Sequence, residues 1–173
     1  PESYWVVPGR LLAGEYPRDY DEESSTQKLQ SILKSGITVF IDLTEERDGL
    51  APYTHLLNTL SPGNVRCRNF PIRDLSVPKT KKQIVDILDA IDEALAKGQS
   101  VYVHCWGGVG RTGTVIGCWL ARHGFEGNAA LKQLHRLWLQ CAKSLKRKSP
   151  ETAEQEEYII NWHETKNQKL IDR

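Results

Sequence analysis

Three glycines lie between Cys105 and Arg111, and the run His104–Thr114, H-C-W-G-G-V-G-R-T-G-T, combines an oxyanion cradle with a built-in nucleophile. A loop that closes on a phosphate must turn successive backbone N–H groups inward. Gly107, Gly108 and Gly110 can adopt the dihedrals this requires without a Cβ clash. Those N–H groups, with the positive end of the helix that follows, favour a dianion and would favour the thiolate of Cys105 over its thiol. Arg111 offers a planar fork matched to two phosphoryl oxygens and stays charged at any physiological pH, a geometry lysine does not reproduce. Phosphoryl transfer to sulfur is the chemistry such a segment suits.

A cysteine followed six residues later by an arginine occurs three times in the chain, so spacing alone selects nothing. Cys67–Arg73 spans Phe70-Pro71, where proline has no N–H to offer an anion, and Cys141–Arg147 contains no glycine. Only Cys105–Arg111 has the right flanks. Gln99–Val103 ahead of it reads as a buried strand, and Thr112–Arg122 behind it as a helix.

The elements that must position this loop follow from periodicity and punctuation. Tyr4–Val7 and Arg10–Ala13 read as short strands broken by Pro8-Gly9, and Ser24–Ser35 as a helix closed by Gly36. Ile37–Asp42 and Val65–Phe70 read as strands, with a short helix over Tyr53–Leu60 between them. Thr80–Lys97 is a long helix with Ile84, Ile87, Leu88, Ile91 and Leu95 on one stripe, ended by Gly98. Asn128–Cys141 carries Leu131, Leu134, Leu137 and Trp138 at helical spacing, and a last helix is expected to begin at Pro150. Strands alternating with helices predict an α/β fold with a central mixed, partly parallel sheet flanked by helices, the loop sitting at a strand's carboxyl end.

H-C-x5-R-T-G resembles the signature loop of the cysteine-based protein tyrosine phosphatase superfamily, and its short flanks are similar to the dual-specificity branch. The resemblance implies the phosphatase fold of that family. It also implies that Cys105 attacks phosphorus to give a phosphocysteine, that Arg111 and the backbone of Trp106, Gly107, Gly108, Val109 and Gly110 hold the phosphoryl oxygens, and that the Thr112 hydroxyl assists thiolate departure. His104 would orient the loop and help lower the thiol pKa.

Covalent phosphoryl transfer also needs an acid for the leaving oxygen and a base for the attacking water. Phe70-Pro71-Ile72-Arg73-Asp74-Leu75-Ser76-Val77-Pro78 looks like the family's general-acid loop, so Asp74 is assigned both roles, the alternative being a turn or capping aspartate ahead of the Thr80 helix. Tyrosine-specific relatives open their last helix with a water-positioning glutamine. Here that place reads Glu151, and Gln155, one turn on, is the candidate substitute.

With 173 residues and 39% apolar content, the chain is expected to form one catalytic domain over 1–173. The four cysteines lack paired C-x-x-C spacing, and His55, His123, His135 and His163 lack metal-like spacing, so neither a disulfide framework nor a metal or other cofactor is expected. Cys67, Cys118 and Cys141 read as small core residues. No apolar run would span a membrane, and a net charge of +1 argues against a nucleic-acid binder. A working thiolate suits a reducing cytoplasm, and a monomer is expected.

Other features have two readings. Tyr16 and Arg18 either contact substrate or belong to an ordinary turn, and Asp42–Arg47 either bears on the loop or is solvated rim. Lysines 79, 81 and 82, and the cluster Lys143, Lys146, Arg147 and Lys148, either attract acidic substrates or are surface charge. Trp106 is read as packing beside the pocket, with stacking on substrate as the alternative. The expected activity is hydrolysis of phosphotyrosine, and of phosphoserine or phosphothreonine, in protein or peptide substrates. The alternatives are a phosphoinositide or inositol-phosphate phosphatase, a non-catalytic phosphoprotein-binding module, or sulfur transfer on a rhodanese-like domain.

Overall fold

Alternate residues of three central strands enter opposite helical layers, as the period of two in an extended chain requires. The computed structural model describes residues 2–164, so the expected domain limit at residue 173 lies outside the described residues. Strands β1 (Ser3–Val7), β2 (Leu11–Gly14), β3 (Val39–Asp42), β4 (Arg66–Asn69) and β5 (Val101–His104) form one sheet in the order β1-β2-β5-β3-β4. Only the β1–β2 hairpin is antiparallel.

Leu11, Ala13, Val39, Ile41, Val101 and Val103 face a core built with α3 (Lys81–Ala96), α4 (Gly110–Arg122), α5 (Asn128–Trp138) and α6 (Ala153–Asn161). Leu12, Phe40 and Tyr102 face the other layer, formed by α1 (Glu22–Lys34) and α2 (Thr54–Leu60). The mixed sheet between helices is the one expected. Gly14, His104 and Asp42 stand in register at the carboxyl ends of β2, β5 and β3 and define one edge of the sheet. That edge is where parallel α/β sheets place ligands.

Capping chemistry explains where the helices depart from the expected boundaries. Helix α1 starts two residues early because Asp21, not Ser24, is the N-cap; its Oδ1 accepts from Ser24 N (2.8 Å), and Glu22 and Glu23 in the first turn complement the dipole. Helix α4 likewise starts at Gly110 rather than Thr112, which places Arg111 in its first turn. Helix α5 stops at Trp138 rather than Cys141, and the Trp138 indole donates to Arg147 O (2.8 Å) as the chain turns away. The last helix begins at Ala153, not Pro150, because Thr152 and Gln155 form a reciprocal capping box. Glu151 therefore lies ahead of this helix.

Helix α4 is buried from Gly110 to Ala121, an arrangement that depends on close approach by α6. A Cβ on Gly117 would stand 2.3 Å from Ile159 Cδ1. Cys118 and Cys141 are core residues as expected, whereas Cys67 is exposed on the charged edge strand β4. Among the described residues no helix is long and apolar enough to cross a membrane.

Candidate active site

Five carbonyls of the segment 105–110 are held from outside. His104 Nδ1 reaches Cys105 O (3.3 Å), Tyr16 N donates to Trp106 O (2.8 Å), and Lys143 Nζ to Gly107 O (2.8 Å). Ser149 Oγ donates to Val109 O (2.7 Å) and Thr114 Oγ1 to Gly110 O (2.8 Å). A trans peptide sets its C=O and N–H on opposite sides, so the amides of Trp106, Gly107, Gly108, Gly110 and Arg111 turn inward. None of the N–H groups from Trp106 to Thr112 has a hydrogen-bond partner among the described residues. Such a row of unanswered donors, set at a helix N-terminus, is a site for an oxyanion. Gly108 is indispensable to it: its φ is +73°, and a Cβ there would lie 2.4 Å from Gly14 C.

Cys105 opens into a cavity of about 290 Å³ that Asp74, Leu75, Trp106, Arg147 and Glu151 also line. Arg111 is buried beside it. Its Nη1 donates to Asp48 Oδ2 (2.7 Å) and Ile72 O (3.0 Å), while Asp74 Oδ1 stands 3.1 Å from Nη2, off the N–H axes. Nε and Nη2 therefore lack a hydrogen-bond acceptor among the described residues despite being buried. Burial works against the charge of Arg111, but Cys105, the Asp48 bond and Asp74 outweigh it and hold the guanidinium protonated more firmly than an ordinary arginine.

Asp74 thus reaches the same cavity as Cys105, with its side chain 47% exposed and one oxygen against Arg111. The Thr112 hydroxyl donates to Gly14 O (3.4 Å). Gln155 is fully buried against the loop. Its Oε1 accepts from the backbone N–H of Glu151 (3.0 Å) and Thr152 (3.1 Å), and its Nε2 donates to Ser76 O (3.0 Å), so that only one Nε2 hydrogen remains for any other partner.

His104 points to the face of the sheet shared with Tyr102 and is enclosed by Tyr16, Tyr53 and Tyr102. Because a carbonyl only accepts, Nδ1 carries the proton for Cys105 O, and Nε2 accepts from the Tyr53 hydroxyl (2.7 Å). Burial holds the ring below the ordinary histidine value of 6.5, with Asp42 opposing and Arg111 adding to the effect. His104 is therefore neutral, and it acts on the loop through a carbonyl rather than as a cation beside the sulfur. The stability linked to this depressed group is complete above pH 6.5 and is lost as pH falls through the folded-state value. Thermal melts from about pH 7.5 to about pH 5 are expected to show a falling midpoint, with a shallower slope in His104→Asn. An unchanged slope in the variant would count against a protonation-resistant ring.

Tyr16 and Arg18 are committed elsewhere: the Tyr16 hydroxyl donates to Ala51 O (3.1 Å) and Arg18 Nη1 to Pro52 O (2.6 Å). Trp106, expected as packing, is 53% exposed on the cavity wall, and Leu75, which also lines it, is 54% exposed. Of the basic residues, Lys82 pairs with Asp86 (2.6 Å) and Lys148 with Glu156 (2.8 Å), while Lys143 and Arg147 come to the loop and the cavity.

Asp48 and Tyr53 were not singled out as site residues by sequence reasoning, and Lys143 was noted only within a basic cluster. The first had a legible signal. Glu45–Asp48 has the spacing of a capping box, which forms around a 3₁₀ turn over Glu46–Asp48 and fixes the carboxylate beneath Arg111.

Against known families, residues 1–159 match PTP-SAK, described as a Swiss Army Knife protein, DSP-PTPase phosphatase domain. The chain belongs to this family. As a DSP-PTPase domain it is a member of the cysteine-based phosphatases, in the dual-specificity-like branch that the signature resembles. Protein 067L of Invertebrate iridescent virus 3, whose name calls it a tyrosine phosphatase, is 31% identical over 123 residues, covering 69% of this chain and 46% of that protein. The domain spans about half the length of the curated relatives it matches. Among solved structures, Tk-PTP in the active form superposes with a TM-score of 0.72 at 24% identity, covering 92% of this chain and 94% of that one. PTPMT1 in complex with PI(5)P gives 0.66 at 18% identity, covering 91% and 92%. At these identities the structures establish a shared fold.

Proposed function

We propose that this DSP-PTPase domain hydrolyses phosphotyrosine, and more slowly phosphoserine and phosphothreonine, in protein substrates through a phosphocysteine intermediate. The observation that carries the proposal is the run of unpartnered N–H groups from Trp106 to Thr112, which surrounds Cys105 beside the unanswered Nε and Nη2 of Arg111. In the first step the Cys105 sulfur attacks phosphorus in line, the P–O ester bond breaks, and Asp74 gives its proton to the departing oxygen. In the second, Asp74 takes a proton from water as that water attacks phosphorus, the P–S bond breaks, and orthophosphate and the thiolate are released. Arg111 and the amides stabilise the negative charge that spreads over the equatorial oxygens, the part a metal ion plays in other phosphoryl transfers. The Thr112 hydroxyl would leave its long bond to Gly14 O to meet the departing sulfur. The remaining Nε2 hydrogen of Gln155 would hold the attacking water. A reducing cytoplasm would keep the sulfur competent.

The aryl preference rests on the cavity wall. Trp106 and Leu75 bring two half-exposed apolar side chains to the cavity that Cys105 lines, a composition that suits a flat ring. Leu75 holds φ at +58°, a conformation that costs a non-glycine residue about 1–2 kcal/mol, and it remains half in solvent. A phosphoinositide substrate is the second reading, favoured by Arg147 on the cavity wall.

Initial rates on matched phosphotyrosine, phosphoserine and phosphothreonine peptides and on PI(5)P vesicles separate these substrates. Asp74→Ala is expected to slow phosphotyrosine peptide hydrolysis about 10²–10⁴-fold, and to slow an ester with a more acidic leaving group much less. Equal losses on both esters would remove Asp74 from the acid role, and faster turnover of PI(5)P would favour the lipid reading.

A further inference from the structure

The peptide between Gly107 and Gly108 is the one in the loop with a glycine on both sides. Turning a peptide plane over changes ψ of the residue before it and φ of the residue after, and glycine resists neither change. The backbone alone therefore gives this plane the weakest preference for turning its N–H inward. It is also the one plane whose carbonyl is held by a cation: Lys143 Nζ donates to Gly107 O at 2.8 Å, whereas neutral groups hold the other four carbonyls.

Lys143 itself is held in place. The short 3₁₀ turn over Ala142–Leu145 carries it to the loop, where Glu15 Oε2 accepts from Nζ at 2.5 Å and the side chain is only 23% exposed. The other oxygen of Glu15 pairs with Lys28 of α1, which also reaches Asp19 at 3.1 Å. The Glu15 backbone is equally constrained, since Tyr102 Oη donates to Glu15 O at 2.6 Å and Glu15 directly follows the Gly14 against which Gly108 packs.

We infer that Lys143, aimed by Glu15, is a positioning residue that latches the Gly107–Gly108 peptide with its N–H toward the phosphoryl group. This inference deepens the phosphatase reading and rests on it. Two effects combine. The latch opposes reversal of the peptide plane, and a cation on the carbonyl polarises the amide so that the Gly108 N–H becomes a stronger donor to an anion.

The test uses tungstate, a tetrahedral oxyanion that is bound but not turned over, with binding measured by calorimetry beside kcat and KM on an aryl phosphate. Lys143→Met is expected to weaken tungstate binding and raise KM about tenfold, the size of one hydrogen bond to a charged group. Lys143→Arg should recover most of the loss. Glu15→Gln, which leaves Lys143 unaimed, should shift both quantities in the same direction by less, and it carries the test if Lys143→Met does not fold. Tungstate affinity equal to wild type in both Lys143→Met and Glu15→Gln would overturn the latch. A wild-type protein that binds tungstate but hydrolyses no phosphate ester would sink the catalytic reading instead, and the Lys143→Met comparison would still decide the latch.

Discussion

Cys105→Ser is expected to lower kcat on an aryl phosphate by about 10⁴-fold or more while leaving the domain folded and able to capture the ester. The substitution is nearly isosteric at a buried position, so packing is preserved. What changes is the nucleophile: a serine hydroxyl is a far weaker nucleophile near neutral pH than a cysteine sulfur. Steady-state rates, together with mass spectrometry of acid-quenched protein for a phosphate adduct, give the readout. Wild type should show the adduct and the variant none. Turnover within tenfold of wild type would refute the phosphocysteine route.

Arg111→Lys should be nearly as damaging, with kcat/KM falling about 10³–10⁵-fold, the range in which an arginine acts on a transferring phosphoryl group. Charge is conserved in this variant, so the loss isolates geometry. Nη1 is committed to Asp48 and Ile72, which leaves Nε and Nη2 without a hydrogen-bond acceptor among the described residues, and a single ammonium cannot hold the aspartate and bridge two phosphoryl oxygens at once. Arg111→Ala makes a complementary stability experiment. It leaves the buried Asp48 carboxylate without its cation, a change expected to cost about 3–5 kcal/mol in urea unfolding. A lysine variant within tenfold of wild type would mean that charge alone suffices.

The two variants differ in how visible their basis was. The Cys105 cradle is continuous in the chain, because a strand, three glycines and a helix N-terminus all fall within Val101–Arg122. Local stereochemistry then dictates the geometry, and a proline in Cys67–Arg73 and the lack of glycine in Cys141–Arg147 were enough to reject those segments. The Arg111 pin is not continuous. Asp48 reaches it from 63 residues away, across the sheet edge where β3 and β5 lie side by side. A charged stretch after a strand looks the same in sequence whether it is solvated or buried beneath an arginine.

Helix ends show the same division. Asp21 and Thr152 took the N-cap positions because a short side-chain acceptor three residues before a free N–H outcompetes a looser composition signal, so α1 began before Ser24 and α6 after Pro150. The shift of α6 matters to the site. It removes Glu151 from the helix and spends the acceptor capacity of Gln155 on two backbone N–H groups, so that the residue ties the Asp74 loop, through Ser76, to the start of α6.

The sequence by itself singled out Cys105 as candidate nucleophile, the glycine-rich loop as candidate anion cradle and the alternation of strands and helices, because each is written in neighbouring residues whose stereochemistry acts over a turn or less, and its resemblance to a family added Asp74 as the acid candidate. Only the tertiary structure decided that Asp48 pins Arg111, that Tyr53 keeps company with a neutral His104, that Trp106 stands half-exposed on the cavity wall and that Lys143 closes on Gly107. Those contacts join segments that sheet order and helix packing bring together, and the burial energy that does so is spread over the whole core rather than encoded at either end of a contact.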